Sequence, residues 1–198
     1  MVRKQFESVR VDLPENWTPP DGPLIIAANH PSWWDPMIAS LIAAQWFPNR
    51  DHISAMNADM LERHAVLKKL GFLPVNQSSL SSVRAFLQQA TTRLRDNNAV
   101  LWITPQGHFA DSRHRPIKFA PGIAHLAKNV PTLSIQPAAL EYTYWDTKKP
   151  NVLISLCAPI SATEPNAPEL AEKLLENQLD HLASLAIVRD PELFSTQL

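Results

Sequence analysis

Apolar residues fall along this chain in short runs, separated by stretches with a helical repeat. Runs rich in β-branched or aromatic residues predict strands at Leu24–Ala28, His52–Met56, Phe72–Asn76, Ala99–Thr104, Thr132–Ala138, Glu141–Trp145 and Val152–Ala158. Between several of them the pattern turns helical. Pro36–Phe47 is one such segment, and Leu80–Arg95 is the clearest, with Leu80, Val83, Leu87, Ala90 and Leu94 on one face. Pro168–Val188 is another: Leu170, Leu174, Leu179, Leu182 and Leu185 make its stripe, and Pro168 suits the first helical turn. Strands that alternate with helices predict an α/β sandwich, a central mixed and largely parallel sheet flanked by helices. No repeat, low-complexity tract or linker divides the sequence, so residues 1–198 read as a single domain.

Composition narrows the functional classes. Hydrophobic residues make up 45% and charged residues 19%, enough apolar surface for a packed core. A net charge of −1 removes the electrostatic case for nucleic acid as a partner. The first twelve residues carry Arg3, Lys4, Glu7, Arg10 and Asp12, too many charges for a signal peptide. No apolar run reaches the ~18 residues of a spanning helix. The expectation is a cytoplasmic protein, peripheral on the inner face of a membrane where it meets one at all. The single cysteine, Cys157, has no internal partner for a disulfide, and a buried structural thiol is its expected role. The four glycines are Gly22, Gly71, Gly107 and Gly122; their scarcity marks turns of special shape.

One turn carries recognisable chemistry. The predicted strand Leu24–Ala28 runs into Asn29-His30-Pro31-Ser32-Trp33-Trp34-Asp35 and then into a helical pattern. In an open α/β sheet the carboxyl end of a strand entering a helix is where ligands bind. A histidine and an aspartate five apart across such a turn can touch. The carboxylate then fixes the imidazole tautomer and leaves the other ring nitrogen free to take a proton. That supplies a base and its orienting group but no nucleophile, so the nucleophile would be a substrate hydroxyl. Taken alone, the pair reads first as a core or capping histidine with a helix N-cap aspartate; the seven-residue context reverses that order. His52, His64, His108, His114, His125 and His181 show no zinc-ligand spacing.

The wider context resembles the glycerolipid acyltransferase family, the group that contains lysophosphatidate acyltransferases. Asn29-His30, followed by Asp35, is similar to the family's first motif (HxxxxD). Gly71-Phe72-Leu73-Pro74-Val75-Asn76 resembles the second. Thr104-Pro105-Gln106-Gly107, with Lys118-Phe119-Ala120-Pro121-Gly122 behind it, resembles the third. Val130-Pro131-Thr132, leading into Leu133–Ala138, resembles the fourth. The blocks keep the family's order over about residues 24 to 140.

The resemblance implies transfer of a fatty acyl group from an acyl thioester, acyl-CoA or acyl carrier protein, to a hydroxyl of a lipid-like acceptor. It implies His30 as base, Asp35 as orienting group and the Gly107 turn beside the acceptor. It implies no metal or organic cofactor, the thioester being a co-substrate. Asn29, Trp33, Gly71, Gln106, Gly107, Phe109, Arg113 and Lys118 are the candidate substrate-binding residues.

The sequence departs from the family at the residues thought to hold the acceptor's phosphate. Where the third motif commonly reads Pro-Glu-Gly-Thr-Arg, here it reads Pro105-Gln106-Gly107-His108-Phe109. Where an arginine often follows the second motif, here stand Asn76-Gln77-Ser78. Neither phenylalanine nor an amide makes the paired bonds of a guanidinium to phosphate. A neutral or glycosylated acceptor, such as a glycolipid, is therefore expected in place of lysophosphatidate. Arg113, Arg115 and Lys118 are either a solvated basic loop or contacts for the donor's phosphates or anionic headgroups. Trp33 and Trp34 are adjacent in the turn, so burial of both is not expected, and one would line an acyl groove or meet a membrane interface. The rival functions are an acyl-thioesterase, with water as acceptor, and a catalytically silent lipid-binding protein. The absence of Gly-x-Ser-x-Gly removes support for a serine hydrolase.

Overall fold

The structure is a computed structural model that describes the chain apart from residues 1, 64–66, 68–69 and 97. His64 thus lies outside the described residues. The strands are β1 (Ser8–Asp12), β2 (Leu24–Ala28), β3 (His52–Asn57), β4 (Phe72–Val75), β5 (Val100–Ile103), β6 (Ser134–Thr143), β7 (Asn151–Leu156), β8 (Ile160–Ser161) and β9 (Thr196–Gln197). The helices are α1 (Val2–Gln5), α2 (Asp35–Trp46), α3 (Ala58–Arg63), α4 (Leu80–Asp96), α5 (Gly122–Asn129) and α6 (Ala167–Val188), and a 3-10 turn spans Pro191–Leu193. The strands form one sheet in the order β4-β3-β5-β2-β6-β7-β1-β9, with β8 beside the start of β6.

The run from β4 to β6 is parallel. Strand β7 pairs antiparallel to β6, β1 runs parallel to β7, and β9 closes the edge antiparallel to β1. This is the mixed, largely parallel α/β sheet expected from the sequence.

Alternation along β2 explains why both faces are covered. Leu24 and Ile26 pack with Ile38, Ile42 and Phe47 of the α2 segment on one face. Ile25 and Ala27 pack on the other with Phe86, Ala90 and Leu94 of α4, Ile123 and Leu126 of α5, and the start of α6. The rest of α6 lies over Ala139 of β6 and Leu153 of β7 through Leu175, Leu179 and Leu182. Strands buried on both faces read as continuous apolar runs, which is why β2 and β7 stand out in the sequence. The chain leaves the neighbouring strands β2 and β5 for helices on opposite faces, α2 and α4-side α5 respectively. Their carboxyl ends therefore flank a crevice at a topological switch point.

Several expectations need correction. The two strands placed at Thr132–Ala138 and Glu141–Trp145 are one ten-residue strand, β6. No turn residue separates them, and the charge of Glu141 merely interrupts the apolar run. Pro137 is accommodated in the middle of β6 because its carbonyl, which accepts from Cys157 N at 3.0 Å, faces the seam between β7 and β8. Strand β1 adds to the expected strands: Val9 and Val11 alternate with polar residues and are buried, a period-two signal overshadowed by the charges around it. On α6 the buried face is Ala171, Leu175, Leu179, Leu182 and Ala186; Leu170 lies off it, 40% exposed, while Leu174 and Leu185 pack half-buried at its edges. On α4, Leu80 is exposed and Phe86 takes a place in the core. Cys157 is buried, and that burial pushes its thiol up to about 11, as expected of a structural residue.

Gly71, at the entry to β4, has φ +88°, and its carbonyl accepts from Ser54 N at 3.2 Å. A Cβ at this position would run into the carbonyl oxygen of His52, which is backbone and cannot step aside. Gly71→Ala should lower the stability of the folded protein by about 2 kcal/mol or more, seen as a lower urea midpoint at unchanged slope. A midpoint equal to that of the parent would mean that β3 and β4 shift apart freely.

Candidate active site

The end of β2 is held to β6 by a side chain. Beyond the last backbone pair, Ala28 with Ala138, the buried Asn29 continues the ladder: its Nδ2 donates to Leu140 O at 2.9 Å, and Leu140 N donates to its Oδ1 at 2.7 Å. An amide is the side chain that can replace a strand residue on both counts. The next residue, His30, is thereby delivered to the switch-point crevice.

The chain then doubles back into α2. Asp35 is the first residue of that helix and Pro36 follows in the first turn, where a missing N–H costs nothing. The Asp35 side chain is only 6% exposed and accepts from three donors. His30 Nδ1 lies 2.6 Å from Oδ2, Ser32 N donates to Oδ2 at 3.2 Å, and the Tyr142 hydroxyl donates to Oδ1 at 2.7 Å. With Nδ1 committed to the carboxylate, Nε2 is the nitrogen left for a substrate proton. Burial first, and then the charge of Asp35 and the bond to it, push the Tyr142 phenol far above its ordinary range, so it stays a neutral donor. Phe6 packs edge-on against Trp34 at 5.2 Å and tilted against Tyr142 at 5.8 Å, closing this side of the turn.

The loop after β5 forms the other wall. Gln106 Oε1 accepts from His30 N at 3.2 Å, and His30 O accepts from Ala110 N at 3.0 Å. The amide of Gln106 thus keeps the oxygen that this contact needs from a glutamate at the same position. Gly107 has φ +74°, donates to Thr104 O at 3.0 Å and accepts from Gln77 Nε2 at 2.9 Å. A Cβ on Gly107 would press on the Gln77 amide. Phe109 stacks on the His30 ring with centroids 4.0 Å apart and planes at 26°, and Trp33 flanks Phe109 at 5.7 Å. Trp33 is 71% exposed while Trp34 is half-buried, so the two tryptophans divide as expected.

The cationic candidates are already engaged. Lys118 pairs with Glu172 at 3.2 Å and Arg115 with Asp180 at 2.6 Å, both on α6. Glu172 and Glu176 also accept from the backbone N–H groups of Phe119 and Ile117, strapping this segment to the helix. Arg113 makes a two-pronged pair with Asp111 on the surface and lines a cavity of about 780 Å³ beside the turn. Pro31, Ser32, Trp34 and Tyr142 line the same cavity. Glu141 is in its wall, and burial raises its carboxyl above the ordinary range.

Of the candidates, His30, Asp35, Trp33, Gln106 and Phe109 are linked in one network of contacts, while Asn29 and Gly107 adjoin it along the chain and bond instead to Leu140 and to Gln77. Gly71 instead serves the β3–β4 pairing. Sequence reasoning missed Tyr142, Phe6 and the reach of Gln77. Only the helix boundary and strand alternation bore on them, and neither predicts a partner across the sheet. Among the described residues no cluster of three or more metal-ligating side chains occurs.

The open α/β sheet thus holds a histidine–carboxylate pair at its switch point, an arrangement chemically able to accept a proton at Nε2. A family model described as Acyltransferase matches residues 8–141. The chain belongs to that family, the glycerolipid acyltransferases. The crystal structure of the 1-acyl-sn-glycerophosphate (LPA) acyltransferase PlsC from Thermotoga maritima has the same fold, with a TM-score of 0.61 at 14% identity over 89% of this chain and 73% of that one. No curated protein matches the chain in sequence.

Asn29→Ala should cost roughly 2–3 kcal/mol, because it leaves the buried Leu140 N–H and C=O without partners. Thermal or chemical unfolding measures this directly. An undiminished midpoint would show that water replaces the amide and that Asn29 does not hold the turn.

Proposed function

We propose that the chain is an O-acyltransferase in which His30 takes the proton of an acceptor hydroxyl as that oxygen attacks the carbonyl of an acyl thioester. The tetrahedral adduct collapses with loss of the thiolate, which recovers a proton from the imidazolium and leaves as the thiol, while the acyl group stays on the acceptor oxygen. The His30–Asp35 contact of 2.6 Å, in a buried setting that fixes the tautomer, carries this reading. The donor is acyl-CoA or acyl carrier protein, and the acceptor is lipid-like. The cavity of about 780 Å³ beside the turn is of a size to receive a substrate portion.

The acceptor presents a neutral hydroxyl, as on a glycosylated lipid or a monoacylglycerol. In support, an aromatic ring stands over the imidazole where the family has a cation, and Arg115 and Lys118 are neutralised by α6. A phosphate brought against Phe109 would lose water and gain no paired guanidinium. No helix among the described residues is long and apolar enough to cross a membrane. Exposed Trp33, Met37 and Phe109 near the site support peripheral contact with a lipid surface.

His30→Ala, folded by circular dichroism, should lower acceptor-dependent thiol release by ~10²–10⁴-fold, and Asp35→Asn should lower it as well. Full activity in a folded His30→Ala protein overturns the mechanism. Thiol release that ignores the acceptor would instead identify a thioesterase, and no release with any thioester a binding protein.

Lysophosphatidate, monoacylglycerol and a glycosylated lipid compared at one donor concentration should rank with a neutral acceptor highest in kcat/KM. Phe109→Arg should then move preference toward the phosphate. If lysophosphatidate wins in the parent protein, the neutral-acceptor reading is wrong, and alanine at Arg113, Arg115 or Lys118 would find the group that holds it.

A further inference from the structure

We infer that Tyr142 is a positioning residue for the reaction, the third link of a chain His30–Asp35–Tyr142 that sets how strongly the carboxylate holds the imidazole. The inference rests on the reading of His30 as the base. A carboxylate has two oxygens, and here they are divided: Oδ2 faces His30 and the Ser32 N–H, while Oδ1 is left to Tyr142 at 2.7 Å. Without the phenol, Oδ1 of a side chain only 6% exposed would be a buried acceptor with no protein donor. The carboxylate would be free to turn about its Cβ–Cγ bond, and the imidazole would turn with it.

Tyr142 is itself held on two sides. Its strand residue pairs with Val152 across the β6–β7 ladder, and its ring rests on Phe6 at 5.8 Å. Phe6 lies against Trp34, the residue that precedes Asp35, at 5.2 Å. The donor and the start of α2 therefore share one aromatic contact, which fixes their separation. A hydrogen bond onto a charged acceptor is short and strong, and it draws electron density away from the oxygen facing the imidazole. The phenol thus tempers the carboxylate as well as aiming it.

The consequence has a sign. With Tyr142→Phe, more of the Asp35 charge faces His30, the imidazolium gains stability, and the histidine titrates at higher pH. A ring-fluorinated tyrosine at position 142, of nearly the same shape and a stronger donor, has the opposite effect. The other charged groups around the cavity that Tyr142 lines are Lys4, Asp111, Arg113, Glu141, Lys148 and Lys149, and neither change alters them.

The test is the titration of His30 in the full chain by nitrogen-15 NMR, which needs no turnover. The expected result is a displacement toward higher pH with Tyr142→Phe and toward lower pH with the fluorinated residue. In parallel, Tyr142→Phe should lower kcat on the order of ten-fold, by more than it changes KM, and the acid limb of the rate profile should follow the histidine. A purely structural tyrosine would change the melting temperature but leave that limb in place. An unmoved His30 titration in a folded variant overturns the inference. Should Tyr142→Phe not fold, the fluorinated protein decides alone. An inactive wild-type protein would sink the acyltransferase mechanism, and the NMR titration would still decide whether Tyr142 tunes the histidine.

Discussion

Placing a carboxylate out of water costs several kcal/mol unless donors surround it, and at Asp35 those donors come from distant parts of the chain. His30 arrives from the end of β2, Ser32 from the turn, and Tyr142 from the far end of β6, 107 residues away in sequence. The carboxylate also sits in the first turn of α2, where the helix dipole favours negative charge. Its geometry is satisfied only when β2, α2 and β6 stand in their observed places. The fold is what brings the donors together, and the buried charge in turn penalises any arrangement that separates them.

Around this charge the neighbouring contacts are made by neutral groups. Asn29 stands in for a strand residue against Leu140, Gln106 receives the His30 N–H, and Gln77 reaches the carbonyl of Gly107. Each amide ties one segment to another at hydrogen-bond distance without adding a charge that would compete with Asp35. The Gly107 turn can approach Gln77 closely because it carries no Cβ and its φ of +74° suits glycine. In the following segment Arg115 and Lys118 are paired instead with Asp180 and Glu172 of α6, and Glu176 of that helix accepts from the Ile117 N–H.

What the sequence disclosed follows from the range of the interactions concerned. The His30–Asp35 contact spans one turn, so spacing alone was enough to anticipate it. Strands β2, β5 and β7 are buried on both faces and announce themselves as apolar runs. The α6 stripe is displaced because small residues, Ala171 and Ala186, take places against the sheet beside Leu175, Leu179 and Leu182, and periodicity read from leucines alone does not count them. Strand β1 forms by pairing with β7 and β9, more than 140 residues away, and five residues among charges carry little local preference. Tyr142 belongs to no motif. Its role depends on the register of β6 against β7, a non-local quantity that periodicity cannot supply.

On the proposed reading of His30 as the base, the stacking of Phe109 constrains how a substrate reaches it. One face of the imidazole is covered at 4.0 Å, and the Nδ1 edge is occupied by Asp35, so a proton donor approaches in the ring plane at Nε2. That is the direction a hydrogen bond to the ring nitrogen requires. The same phenylalanine extends outward to Trp33, which is 71% exposed, so an apolar surface begins at the base and runs into solvent. Exposed aromatic surface at a reaction centre is costly in water and is relieved by contact with apolar matter. An acyl chain lying along Trp33 and Phe109 would cover that surface and hold the thioester end near Nε2. Binding energy gathered far from the reacting atoms would then serve to orient them.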